Sequence, residues 1–295
     1  MDSSRYISAA ELLPSRLRMA AMALDDDSQS VAEEFRLRVG RRLSVLLPDG
    51  ELRLDSALIT PEDLSETASR AARGSLHSVS DELAAGFVTA QNGHRLGLCG
   101  RAVMESGVCR TVRDFSSANL RIAREVRGAA DGVFSQIVGE RVRSTLILSP
   151  PGGGKTTLLR DLVRQTGDKG VRVSVADERG ELSACVAGKP GFDVGECVDL
   201  MVGAPKAIAA LAMLRAMDPQ VVALDEITDP ADFDAIARIV GCGAAVFATI
   251  HAGSVDELCR RPGLSAILPA FEKFVVIERS GSRRTVTVLD PPDEP

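Results

Sequence analysis

Tryptophan is missing from this 295-residue chain, tyrosine occurs once and histidine three times. So few aromatic rings leave no stacking platform for single-stranded nucleic acid. The six cysteines (Cys99, Cys109, Cys185, Cys197, Cys242 and Cys259) include no C-x-x-C pair, and with so little histidine they form no zinc constellation. They read as reduced, packed thiols. No apolar run approaches the ~18 residues of a membrane-crossing helix. Met1-Asp2-Ser3-Ser4-Arg5 leads into no apolar signal core, so the expected location is the cytoplasm. An excess of basic charge is also lacking: 35 Lys and Arg stand against 41 Asp and Glu, for a formal net charge of -6. That balance argues against nucleic acid as the main partner. With 45% hydrophobic and 26% charged residues, the composition is that of an ordinary soluble globular chain with room for two domains.

What is present changes rhythm near residue 143. Ala9 to Leu24, rich in Ala, Leu, Met and Arg, predicts one helix that ends in the polar run Asp25-Asp26-Asp27-Ser28. Phe35 to Val39 alternates apolar with basic residues, Leu43 to Leu47 is apolar, and Pro48-Asp49-Gly50 predicts a turn before Leu52 and Leu54. A small hairpin-rich sheet is the economical reading. Thr60-Pro61-Glu62-Asp63 is a helix start with Thr60 as cap, and Ser80, followed by Glu82 and Leu83, opens another. Beyond residue 143, short apolar runs at Thr145 to Leu148, Val171 to Ala176, Val221 to Leu224 and Ala244 to Thr249 alternate with helical stretches at Lys155 to Arg164, Ala207 to Met217 and Ala231 to Val240. That is the pattern of a parallel sheet covered by helices. Phe274 to Ile277 and Thr285 to Val288 flank Ser280-Gly281-Ser282 as an antiparallel hairpin, ahead of a solvated tail from Asp290 to Pro295. The expected division is an N-terminal α+β domain over 1–143 and an α/β domain over 144–295.

The densest chemistry lies in Ser149-Pro150-Pro151-Gly152-Gly153-Gly154-Lys155-Thr156-Thr157, set between a strand and a helix as a phosphate-binding loop requires. Glycines let backbone N–H groups turn onto phosphate oxygens, and the helix aims its positive end at the same anion. Lys155 would reach the β- and γ-phosphates, and Thr156 would place its hydroxyl on Mg2+. Ser149 stands where the usual G-x-x-x-x-G-K-[ST] pattern has its first glycine. About seventy residues on, Val221-Val222-Ala223-Leu224-Asp225-Glu226 is an apolar strand ending in two carboxylates. Asp225 suits the metal, and Glu226 suits orienting or deprotonating the attacking water. A further acidic cluster, Asp177-Glu178-Arg179-Gly180-Glu181, ends the strand after the loop helix, and its tip is expected beside the phosphate site. Its carboxylates therefore compete with Glu226 for the role of base. Thr249 or His251, at the tip of the next strand, can sense a γ-phosphate by a hydrogen bond lost on hydrolysis.

These motifs, together with Glu34 to Arg41, His94 to Ala102 and Arg113 to Glu125, resemble the stage III sporulation protein AA family, ATPases related to type II and type IV secretion and pilus-retraction ATPases. The resemblance covers most of the chain, and members of the family also open the loop with Ser-Pro-Pro-Gly. It implies a RecA-like P-loop NTPase core with a mainly parallel sheet, preceded by a smaller α+β N-terminal domain. It implies ATP and Mg2+ as cofactors and self-association into a ring, a hexamer, with nucleotide at subunit boundaries. Glu181 falls at a catalytic glutamate of the related motors, and His251 at their histidine segment, so the base is Glu226, Glu178 or Glu181, with Glu226 favoured. Arg113, Arg121 and Arg124 then become a group from which a phosphate-contacting guanidinium is drawn, supplied by the N-terminal domain or a neighbour. The plain alternative is a helix with arginines toward solvent or in ion pairs. The implied setting is the mother-cell side of a channel to the forespore, with membrane proteins of that complex as partners and no nucleic acid. The competing readings are a nucleotide-gated scaffold with negligible turnover and a DNA-handling RecA-like ATPase.

Overall fold

In the computed structural model the described residues are 3–74, 83–84, 86–261, 263–264, 266–280 and 283–291. They divide into two compact units, 1–124 with 184–191 and 125–183 with 192–295. Residues 125–143, placed with the first half by the sequence rhythm, belong to the second unit: Ala130, Val133, Ile137 and Val138 are buried in its core. The helix start at Ser80 and Glu82, the hairpin turn residues Gly281 and Ser282, and the end of the acidic tail lie outside the described residues.

In the first unit the single N-terminal helix becomes three, Ser4–Ala10, Ser15–Met22 and Asp26–Val31. Pro14 has no N–H to continue the first, and Asp25, instead of ending a helix, caps the third by accepting from the Ser28 amide at 2.8 Å. Six strands follow among the described residues: β1 (Glu34–Arg38), β2 (Ser44–Leu47), β3 (Gly50–Arg53), β4 (Phe87–Thr89), β5 (Arg95–Glu105) and β6 (Val108–Arg121). They form one antiparallel sheet in the order β3-β2-β1-β6-β5-β4. The anticipated hairpins are its β1–β3 edge. The Arg113 to Arg121 stretch, for which a helix was the plain alternative, is strand: Ala118 and Leu120 alternate inward opposite Leu37 and Phe35. The helix Pro61–Ala71 starts as expected, with Thr60 and Asp63 exchanging hydrogen bonds at 3.4 and 2.7 Å in a capping box.

The second unit is built on β7 (Thr145–Ser149), β8 (Val173–Asp177), β9 (Val198–Val202), β10 (Val221–Leu224), β11 (Ala245–His251), β12 (Lys273–Ser280) and β13 (Arg283–Leu289). The sheet order is β13-β12-β7-β11-β10-β8-β9, and only the β12–β13 pair is antiparallel. Its central strands are apolar on both faces, as buried parallel strands must be. Leu146, Leu148, Val222 and Leu224 face one core, whereas Ile147, Val221, Ala223 and Phe247 face the other. β9 was not anticipated: it is an edge strand whose residues are half-buried or exposed. β11 and β10 lie between β7 and β8, so the Asp177 tip stands beside Asp225, and Asp177, Glu178, Arg179, Glu181, Asp225 and Glu226 line one small cleft. Such crossovers let strands distant in sequence become neighbours in space.

His94 is wholly buried in the first unit. Its Nδ1 accepts the Ala123 amide at 3.1 Å, which leaves Nε2–H to donate to Ser8 Oγ, also at 3.1 Å. Burial, with the nearby Arg5 charge, pulls its pKa from 6.5 to about 4. The folded pKa is depressed, so the unfolded chain binds the extra proton. Stability from the neutral imidazole is complete above pH 6.5 and is lost as pH falls toward 4. Chemical denaturation of the full chain at pH 7 and pH 5 should show a loss of about 2 kcal/mol that His94→Asn lacks. Equal pH dependence in both proteins would show that His94 is not the titrating group.

Candidate functional site

The loop at the C-terminal tip of β7 turns through Gly152 and Gly154, with φ of +73° and +103°. A Cβ at Gly153 would stand 2.2 Å from Ser149 Oγ, so the serine in the first loop position makes a side chain at 153 impossible without a shift. No side chain caps the helix Lys155–Asp168 that follows, so its first amides are unclaimed by a cap. Lys155 is only 6% exposed. Its Nζ donates to the carbonyls of Ser149 and Pro150 at 3.1 and 3.4 Å and to His251 Nδ1 at 2.8 Å. Burial pushes its pKa down, partly offset by the charges of Asp225 and Glu226.

The β7–β11 register sets Ser149 opposite His251, and the β10–β11 register brings Asp225 to the same edge. Thr156 Oγ1 donates to Asp225 Oδ2 at 2.9 Å, and Thr249 Oγ1 donates to Oδ1 at 2.5 Å. Thr249 also accepts the Glu226 amide at 2.7 Å, so this fully buried hydroxyl orients both carboxylate residues; it is a positioning group and faces no open space. Burial raises the Asp225 pKa, and among the described residues no basic side chain is ion-paired with it. A recessed carboxylate met by two hydroxyls is an all-oxygen donor set of the kind that suits Mg2+, which keeps most of its waters. The residues present therefore fit the metal.

Glu226 sits in the left-handed region, φ +55°, just past the strand. Its Oε1 lies 2.9 Å from His251 Nε2, and its Oε2 accepts from Arg179 at 2.8 Å. Because Nδ1 accepts from Lys155, Nε2 carries the imidazole proton and donates to Glu226. Lys155, His251, Glu226 and Arg179 thus form one continuous hydrogen-bonded line. Of the competing carboxylates, Glu178 is ion-paired with Lys206 at 3.1 Å, which lowers its pKa. The backbone carbonyl of Glu181 accepts from Arg160 at 2.6 Å. Asp177 is spent on structure, accepting from the Leu182 and Ser183 amides and the Ser183 hydroxyl. A cleft of about 570 Å3 opens beside His251, but Ile227, Phe233, Ile250 and Leu264 make its wall largely apolar, so the anion-gripping groups are those of the loop.

Two residues escaped the sequence reading. Arg179 lay in view within the acidic cluster, where the carboxylates drew the attention. Arg284 on β13 brings Nη1 within 3.3 Å of where a Gly154 Cβ would stand, and nothing local in the sequence links the two. The anticipated arginine group is divided within the first unit. Arg113 and Arg121 are exposed on β6, whereas Arg124 donates to the carbonyls of Val31 and Ala32.

The model of the family described as "Sporulation stage III, protein AA" matches residues 5–290. The chain is 34% identical over 287 residues to the Stage III sporulation protein AA of Bacillus subtilis, covering 95% of this chain and 93% of that one. Among solved structures it is similar to the Legionella pneumophila ATPase DotB, with TM-score 0.58 and 16% identity over 95% of this chain and 83% of that one. It is also similar to the pilus retraction motor PilT with bound ADP, with TM-score 0.62 and 17% identity over 90% of this chain and 81% of that one. The fold is thus the α/β fold of those ATPases, a mainly parallel sheet with an antiparallel N-terminal sheet, and the chain belongs to the sporulation stage III protein AA family.

Proposed function

We propose that the chain is a Mg2+-dependent ATPase that assembles as a ring, a hexamer, and hydrolyses ATP to ADP and phosphate to drive assembly of, or transport through, the channel between mother cell and forespore. One observation carries the catalytic part: Lys155, the Thr156–Asp225 pair and Glu226 converge on the mouth of a glycine loop at one edge of a parallel sheet. On nucleotide binding Lys155 exchanges its loop carbonyls and His251 for the β- and γ-phosphates. Thr156 and Asp225 would hold the metal, whose chemistry would be to offset the negative charge of the phosphates. Glu226 takes the proton of the attacking water, favoured over Glu178 because the latter is committed to Lys206. His251, released from Lys155, reports the γ-phosphate to Glu226. Ser149 to Thr157 line the nucleotide, with Arg284 beside them and Arg113, Arg121 or Arg124 as the pool for a contact from another subunit. The ring, the membrane-protein partners and a place on the mother-cell face of the membrane rest on the family's sporulation setting and on likeness to secretion motors. Anchoring by those partners is part of this reading, and no helix among the described residues is long and apolar enough to cross a membrane.

A nucleotide-gated scaffold is the second reading, favoured by the engagement of both Lys155 and Glu226 with neighbouring side chains. Phosphate release separates the two. Lys155→Ala should abolish nucleotide binding, whereas Glu226→Gln should keep ATP bound and lower turnover by about a hundredfold or more. Unchanged turnover by Glu226→Gln would remove it as the base, and no turnover by the wild-type ring with its membrane partner would leave the scaffold.

As a positioning residue, Arg179 sets the Glu226 carboxylate. Arg179→Ala should lower kcat by about tenfold with little change in KM, and Arg179→Lys should recover part of it. Arg284→Ala should instead raise KM for ATP with kcat nearly unchanged. The opposite pattern in steady-state kinetics would reverse the two assignments.

A further inference from the structure

The first unit carries a feature that the ATPase reading leaves unused. A cavity of about 510 Å3 is lined by Arg38, Arg41, Arg42 and Arg53, a local basic concentration in a chain of net charge -6. The sheet builds it. Leu37 points into the core, so Arg36 and Arg38 take the other face of β1. The β1–β2 and β2–β3 registers then set Arg36, Ser44 and Arg53 in one row across three strands. After β1 the chain turns at Gly40, where the Gly40 amide donates to the Ile59 carbonyl and the Ile59 amide to the Arg41 carbonyl, both at 2.8 Å. Ile59 is buried, so the turn that presents Arg41 and Arg42 is pinned to the core rather than free to drift.

The charge count inside the cavity does not close. Arg38 is matched by Glu51, which it contacts through both carboxylate oxygens at 2.5 and 3.4 Å, and Ser44 donates to that carboxylate as well. Arg42 is matched by Asp55. Arg41 and Arg53 have no carboxylate partner among the described residues, whereas Arg36, Arg38 and Arg42 are each ion-paired. Two unpaired guanidinium charges that line one cavity make a local positive field that an anion between them would meet. A carboxylate brings one charge; a phosphate monoester brings about 1.5 to 2 at neutral pH, with three acceptor oxygens that match two planar forks. No aromatic ring lines the cavity, so nothing there would stack on a base.

We propose that this arginine cavity is a second anion site, separate from the glycine loop, that binds a dianionic phosphate monoester between Arg41 and Arg53. The ligand is a phosphorylated soluble molecule or the monoester headgroup of a phosphatidate membrane. The exposed side chain of Leu58 on the cavity wall gives the headgroup alternative an apolar neighbour.

The test uses the full chain carrying Lys155→Ala, so that binding at the loop is disabled, titrated calorimetrically with inorganic phosphate. Saturable binding that survives Lys155→Ala and weakens by at least about tenfold when Arg41→Ala and Arg53→Ala are added is the expected result. Both arginines are exposed, and an unchanged melting temperature will confirm that the triple variant folds. If melting does shift, the Arg41→Lys, Arg53→Lys pair serves instead, with weaker binding again expected because the forks are lost. Co-sedimentation with phosphatidylcholine vesicles containing phosphatidate, absent without it and lost in the arginine variants, assigns the source to a membrane. Phosphate binding without vesicle binding assigns it to a soluble ligand. The proposal is overturned if the Lys155→Ala chain binds neither probe, or if the arginine substitutions leave the binding unchanged.

Discussion

A buried ammonium group organises the second unit. Lys155 lies at the start of a helix and almost out of solvent, where its charge is tolerated only because two loop carbonyls and His251 accept its protons. Those partners come from different places in the chain, and the parallel register of β7 with β11 brings them within reach by setting Ser149 beside His251. The cost of burying the cation is offset by acceptors that phosphate oxygens can replace. The contacts that hold Lys155 in the loop are thus of a kind that phosphate oxygens could make, and the proposed function rests on that exchange.

From this charge the rest of the site follows outward. His251 passes the influence of Lys155 to Glu226, and Arg179 closes the line on the far side. Thr249, one strand position before Ile250 and fully buried, ties the carboxylate of Asp225 to the backbone of Glu226, so one hydroxyl positions both acids. A change in what Lys155 touches is thereby felt at Glu226 through side chains alone. In the proposed function this line is the route by which phosphate binding would reach Glu226.

The glycine loop and the Asp225-Glu226 strand end were legible in the sequence, because phosphate binding needs close backbone approach and a buried parallel strand needs an unbroken apolar run. The capping box at Thr60 and the helix-strand alternation after residue 144 were legible for equally local reasons. Strand order was not: β11 and β10 separate β7 from β8 by crossovers whose ends are far apart in the chain, so the acidic tip at Asp177 to Glu181 meets the site through Asp225 and Glu226 rather than through the loop. Its Asp177 proved to tie down the Leu182 and Ser183 amides. The long β5–β6 hairpin was missed because basic and small residues hide its alternation, and only pairing with β1 shows Ala118 and Leu120 as core. Arg284 and the pairing of Arg179 with Glu226 depend on tertiary placement that no spacing rule encodes.

The central claim is that Lys155 surrenders its present partners to a triphosphate. A crystal structure of the full chain with Mg2+ and a non-hydrolysable ATP analogue tests it most directly. The account predicts phosphate oxygens on the amides of residues 152 to 156, Lys155 moved from His251 to the β- and γ-phosphates, and the metal between Thr156 and the Asp225 side. A bound analogue with the 2.8 Å Lys155–His251 contact intact and the phosphates elsewhere would contradict it.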